Sequence, residues 1–101
     1  MTAGRGTRRP ALPPDVDAAL REVGRDPVPE AAALSLALII HRAANELHRL
    51  SRGRAAERRG EPDWGTWASL QNASRDVVLK GATLRQTAGQ LAASADDPES
   101  G

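Results

Sequence analysis

The chain predicts an all-α architecture: an antiparallel hairpin of two long helices preceded by a short N-terminal one. Three observations carry this. Apolar residues recur three and four positions apart through two long stretches, which is the spacing of one helix face. All seven prolines lie outside those stretches and punctuate them. No run alternates apolar and polar residues as a half-buried strand would.

Length and composition bound the rest. A chain of 101 residues is one domain at most. Leu, Ile and Val together number only 18, a thin supply of large apolar side chains, but the net charge of +1 argues against outright disorder. The expectation is a folded chain whose core is marginal by itself, a shortage that oligomerisation often relieves. The absence of cysteine excludes a disulfide scaffold, a thiolate zinc site, an iron–sulfur cluster and a cysteine nucleophile. The 19 alanines, and 13 arginines among 14 basic residues, mark a GC-rich coding sequence, and the chain is read as bacterial.

The two ends differ in charge. Arg5, Arg8 and Arg9 are the only charges in residues 1–14, whereas Asp96, Asp97 and Glu99 are the only ones in residues 96–101. Both ends are rich in Gly, Pro, Ser and Thr with little to bury. Residues 1–12 are therefore expected to be a disordered basic tail and 95–101 a disordered acidic one.

Between the tails, three helices are expected at about 15–23, 30–59 and 64–93. Pro13-Pro14-Asp15 is a helix entry with Asp15 as its candidate N-cap, and Val16, Ala19, Leu20 and Val23 form one stripe before Gly24. Asp26-Pro27-Val28-Pro29-Glu30 opens the second helix. There Leu36, Ile40, Ala43, Leu47 and Leu50 follow a 4-3-4-3 spacing, the seam of a coiled-coil-like pair. Leu34, Leu38 and Ile39 fall off that seam, so the first half of this helix is apolar nearly all round. Gly53 is its weak point. Gly60-Glu61-Pro62-Asp63 reads as the turn.

The third helix carries Trp67, Leu70, Ser74, Val77, Gly81, Leu84, Ala88 and Leu91 on its seam, with small residues alternating with large. Folding the chain about Pro62 pairs positions whose numbers sum to about 124. Leu50 then faces Ser74, Ala43 faces Gly81, and Ile40 faces Leu84. Small side chains on such a seam bring the axes toward the lower end of the usual 8–10 Å.

The longest apolar run, Ala31 to Ile40, is too short to span a bilayer, which needs about 20 residues. It also lies too far into the chain, behind acids and prolines, for a signal peptide. A cytoplasmic location is the default expectation, with no membrane partner.

Candidate chemistry is sparse, and an enzyme is the least supported class. His41 and His48 lie two turns apart along one helix face with Asn45 between them, about 10 Å apart along the axis, too far to share one metal ion. They read as polar positions beside an interface. Arg49, Arg52, Arg54, Arg58 and Arg59 form a cluster suited to phosphate or carboxylate recognition. No aromatic platform for base stacking accompanies them. Trp67 lies on the seam, and Trp64 just outside it, as a staple of the turn or an interface anchor.

Two short resemblances add little. Val78-Leu79-Lys80-Gly81-Ala82 resembles part of the histidine-phosphotransfer motif, but Val77 stands where that motif has its phosphoacceptor histidine, so no phosphotransfer is implied. The length, the hairpin and Trp64-Gly65 resemble the WXG100 (ESAT-6-like) class, which implies a small secreted helical hairpin. Here Trp and Gly are adjacent, whereas that motif separates them by one residue.

The function expected from the residues is a protein–protein interaction module: an adaptor, scaffold or regulatory subunit. It would self-associate into a four-helix-type homodimer, or take a helical partner, through Leu34, Leu38 and Ile39, with His41, Asn45 and Trp64 at the contact. The alternative is a nucleic-acid accessory protein using the arginine cluster and the basic tail. No catalytic residue, metal, cofactor or small-molecule substrate is expected.

Overall fold

The computed structural model describes residues 12–96, and the two tails expected from the sequence lie almost wholly outside them. Three helices occur in the order α1 (Pro14–Gly24), α2 (Pro29–Glu57) and α3 (Trp64–Asp96), with no strand among the described residues. The protein is all-α. The short α1 packs on α2 and not on α3, while α2 and α3 pack along their lengths.

The helix starts differ slightly from expectation. Pro13 caps α1, no side chain caps it, and Asp15 instead sits in the first turn, where its charge complements the helix dipole. Before α2, Asp26 Oδ1 accepts the Val28 amide at 2.9 Å, an Asx turn that delivers the chain to Pro29. α2 runs unbroken through Gly53 to Glu57. The turn after it depends on Gly60, the one described residue with positive φ, at 88°.

The interhelix seam departs from the expected one on α2. Ala32 is buried near the start of α2, and Ala37, Ala44, Ser51 and Ala55 are the buried residues further along it, with half-buried His41, His48 and Arg58 between and beyond them. This seam lies one residue beyond Leu36, Ile40, Ala43, Leu47 and Leu50, a rotation of about 100° about the helix axis. On α3 the small positions Ser74, Gly81 and Ala88 are buried as expected, but Val77, Leu84 and Leu91 are not. The pairing sum is nearly right: Ser51 meets Ser74.

Small residues against small residues explain the rotation. Gly81 has no side chain, and His41 Cα lies 3.3 Å from where its Cβ would stand. Gly81 supplies the room for that approach on α3, and Ala37, Ala44, Ser51 and Ala55 keep the α2 seam small on either side of His41 and His48. Bulky residues at positions 36, 40, 47 and 50 would hold the axes apart, so they are turned to the flank. As a result no large apolar side chain among the described residues is buried; the core consists of Ala32, Ala37, Ala44, Ala55 and Ala88.

Candidate functional site

The flank is where the large side chains went. Ile40, Leu47 and Leu50 of α2 and Val77, Leu84 and Leu91 of α3 are each 42–51% exposed. Ala33, Leu36 and Ile40 line one open groove of about 250 Å³ together with Leu84, Ala88 and Leu91, so the two stripes share one side of the hairpin. Leu47, Leu50 and Val77 continue it by helical spacing. The surface is one apolar face built from both helices.

The other side of the seam mixes polar and apolar side chains. Arg52, Arg59 and Gln71 lie there beside Trp64, which is 40% exposed, around a groove of about 230 Å³. Leu38 and Ile39, 41% and 38% exposed, line a broader groove with Arg42, Asn45 and Arg85. Leu34 is half-buried. These three residues thus form a short patch that runs out into polar side chains. The expected interface position His41 packs in the seam against Gly81, and Asn45 Nδ2 turns back to donate to the His41 carbonyl at 3.1 Å.

The arginine cluster is largely neutralised within the chain. Arg49 donates to Glu46 at 2.8 Å, Arg54 to Glu57 at 2.8 Å, and Arg58 to Asp63 at 2.8 Å. Arg54 also lies over the Trp67 ring, 5.5 Å from its centroid. Arg58 holds the Asp63 carboxyl below its ordinary range, chiefly through that hydrogen bond, with the Trp67 indole adding to it. The Arg49 hydrogen bond lowers Glu46 in the same way. Arg52 and Arg59 form no ion pair with the described residues. Five arginines in sequence become two free cations in space.

One polar cluster lies inside the seam. His48 Nδ1 is 3.1 Å from the Gln71 carbonyl oxygen, which can only accept, so Nδ1 carries the proton. Ser74 donates to that carbonyl at 2.9 Å, and Ser51 donates to the His48 carbonyl at 3.1 Å. The two hydroxyl oxygens stand 3.4 Å apart, both essentially buried. Ser74 Oγ also lies 3.4 Å from His48 Nδ1, which in donating to the Gln71 carbonyl keeps its own proton. The cluster ties α2 to α3 through His48 and Gln71. Sequence spacing missed it because Ser51 sat one residue off the expected seam.

Among the described residues no group of His, Asp and Glu is arranged to hold a metal ion, and no helix is long and apolar enough to cross a membrane. Compared with protein-family models, curated proteins and solved structures, the chain matches none. The residues themselves carry the functional argument.

Proposed function

We propose that this protein is a helical interaction module, serving as adaptor, scaffold or regulatory subunit, whose hairpin is half of a larger helical bundle. One observation carries the reading: every buried residue of the described hairpin is Ala, Ser or Gly, while none of its Leu, Ile and Val side chains is buried and most are exposed. Burying a half-exposed Leu or Ile stabilises by about 1 kcal/mol, so a face with six such residues offers a substantial drive to associate. Contiguous apolar patches of this kind mark interaction surfaces. Light scattering on the full chain across a concentration series tests the reading. Association at micromolar concentration is expected, and a strict monomer at millimolar concentration overturns it for self-association.

A second reading rests on Arg52 and Arg59, whose charges are uncompensated beside the exposed Trp64. Together with the basic tail they would contact a nucleic-acid backbone. Binding to duplex that weakens steeply with added salt supports it, and no gel shift at low salt removes it.

A further inference from the structure

We infer that the apolar face of α2 and α3 is covered by a second copy of this chain, lying antiparallel to the first about a twofold axis near Ala43. The inference rests on the interaction-module reading and adds to it the occupant, the face and the direction. Three features of the hairpin support it together.

The first is charge. At the turn end, from Arg49 to Arg75, six arginines stand against three carboxylates, a net +3. At the open end, residues 12–40 and 84–96 hold three basic and six acidic residues, a net −3. The stretches between, 41–48 and 76–83, each carry one basic and one acidic residue. The described chain is therefore neutral overall but polarised along its length. Two copies set turn end to open end bring opposite charges together, whereas two copies set turn to turn bring like charges together.

The second feature is the spacing of the face. On α2 the large residues are arranged evenly about Ala43, with Ile40 and Leu36 on one side and Leu47 and Leu50 on the other. A twofold axis there brings Leu36 near the partner's Leu50 and Ile40 near the partner's Leu47. Exposed Ala43 sits at the axis itself, where a small side chain lets the two α2 helices approach. On α3, Lys80 is the one charge in the stripe between Val77 and Leu84, and its four-carbon stem can carry the ammonium to the rim.

The third is size. From the Leu91 layer to the Leu70 layer the face runs about 32 Å at 1.5 Å per residue. Two helices side by side make it about 20 Å wide. That is roughly 600 Å² in flat projection, before side-chain corrugation adds to it, against the ~800 Å² per partner of a standard stable interface.

The test uses the full chain, which has no cysteine to interfere. Under oxidation Ala43→Cys is expected to yield a disulfide-linked dimer, since a twofold axis at residue 43 brings its two copies within disulfide range. Asn45→Cys, on the opposite side of the helix, is expected to remain monomeric on a non-reducing gel. The unmodified dimer is expected to dissociate several-fold more readily at 0.5 M salt than at 0.05 M, because its attractions are screened. A dimer that tightens with salt, or that crosslinks through Asn45→Cys and not Ala43→Cys, overturns the antiparallel face while leaving self-association standing. A monomer at every concentration and salt overturns both. The salt series needs no variant and decides the matter even if a substitution unfolds the chain.

Discussion

Two strips of this hairpin lie only one residue apart on α2, yet they make opposite use of side-chain size. The seam strip, Ala37, Ala44, Ser51 and Ala55, is buried and nearly without bulk. The strip beside it, Ile40, Leu47 and Leu50, is bulky and 42–50% exposed. The two helices pack through small buried side chains, with hydrogen bonds across the seam and larger apolar groups at most half-buried beside it. The hydrophobic area that would ordinarily form a core is held outside. Seam changes should therefore act on folding of the hairpin, and face changes on association.

The largest effect is expected at Gly81, where a side chain would meet His41. Gly81→Leu should destabilise the hairpin by about 3 kcal/mol in urea unfolding. Leu84→Ala, three residues on but on the exposed face, should cost only about 1 kcal/mol in dilute solution. Equal costs for the two would erase the distinction between seam and face.

Glycine to alanine sharpens it further. Gly53 has no heavy atom within 4 Å of a new Cβ, so Gly53→Ala should stabilise the mid-helix position by about 1 kcal/mol and raise Tm. At Gly81 the same change places Cβ 3.2 Å from His41 Cδ2 and 3.3 Å from its Cα. That crowding should cancel the propensity gain. A similar rise in Tm for both variants would show that the seam can open at no cost.

Ser51 and Ser74, buried with their hydroxyl oxygens 3.4 Å apart, should behave as a unit. Either serine changed alone to alanine should cost about 1 kcal/mol, and the double variant less than the two costs added, since both buried hydroxyls leave together. Strict additivity in a double-mutant cycle would argue against their coupling.

The smallest effect is electrostatic. Asp63 and Glu46 have folded-state pKa values lowered by Arg58 and Arg49. The unfolded chain therefore takes up their protons first on acidification. Their contribution is present in full above the ordinary carboxylate range, about 4, and is lost as pH falls through the depressed values. A stability–pH profile should decline below about pH 4, and Asp63→Asn should flatten part of that decline. Glu46 is exposed and Asp63 only half-buried, so the slope should be shallow and should shrink with salt.

Much of this was legible in advance, and the misses have physical causes. The 4-3-4-3 spacing and the Gly60-Glu61-Pro62-Asp63 turn located both long helices, because periodicity and turn chemistry are local properties. Ser74, Gly81 and Ala88 were legible as seam residues because small side chains stood out in a row. The α2 seam lies one residue from the hydrophobic stripe because hydrophobicity predicts burial without saying whether this chain or a partner supplies the cover. Among the described residues no second layer covers the leucine stripe, and backbone approach decides which face turns inward. The arginine cluster was visible, but its pairing was not. Whether Arg58 meets Asp63 across the turn depends on how that turn closes, which no spacing rule states.

Sequence alone determined that the chain is helical, where its helices begin and end to within a few residues, and that it owns little apolar bulk. It could do so because helix propensity, proline placement and residue counts do not depend on distant contacts. Tertiary structure decided which of two adjacent faces became the seam, which arginines stayed free, and that His48, Ser51 and Ser74 meet. Those outcomes turn on a rotation of about 100° per residue about a helix axis, which only the packing of one helix against the other can settle.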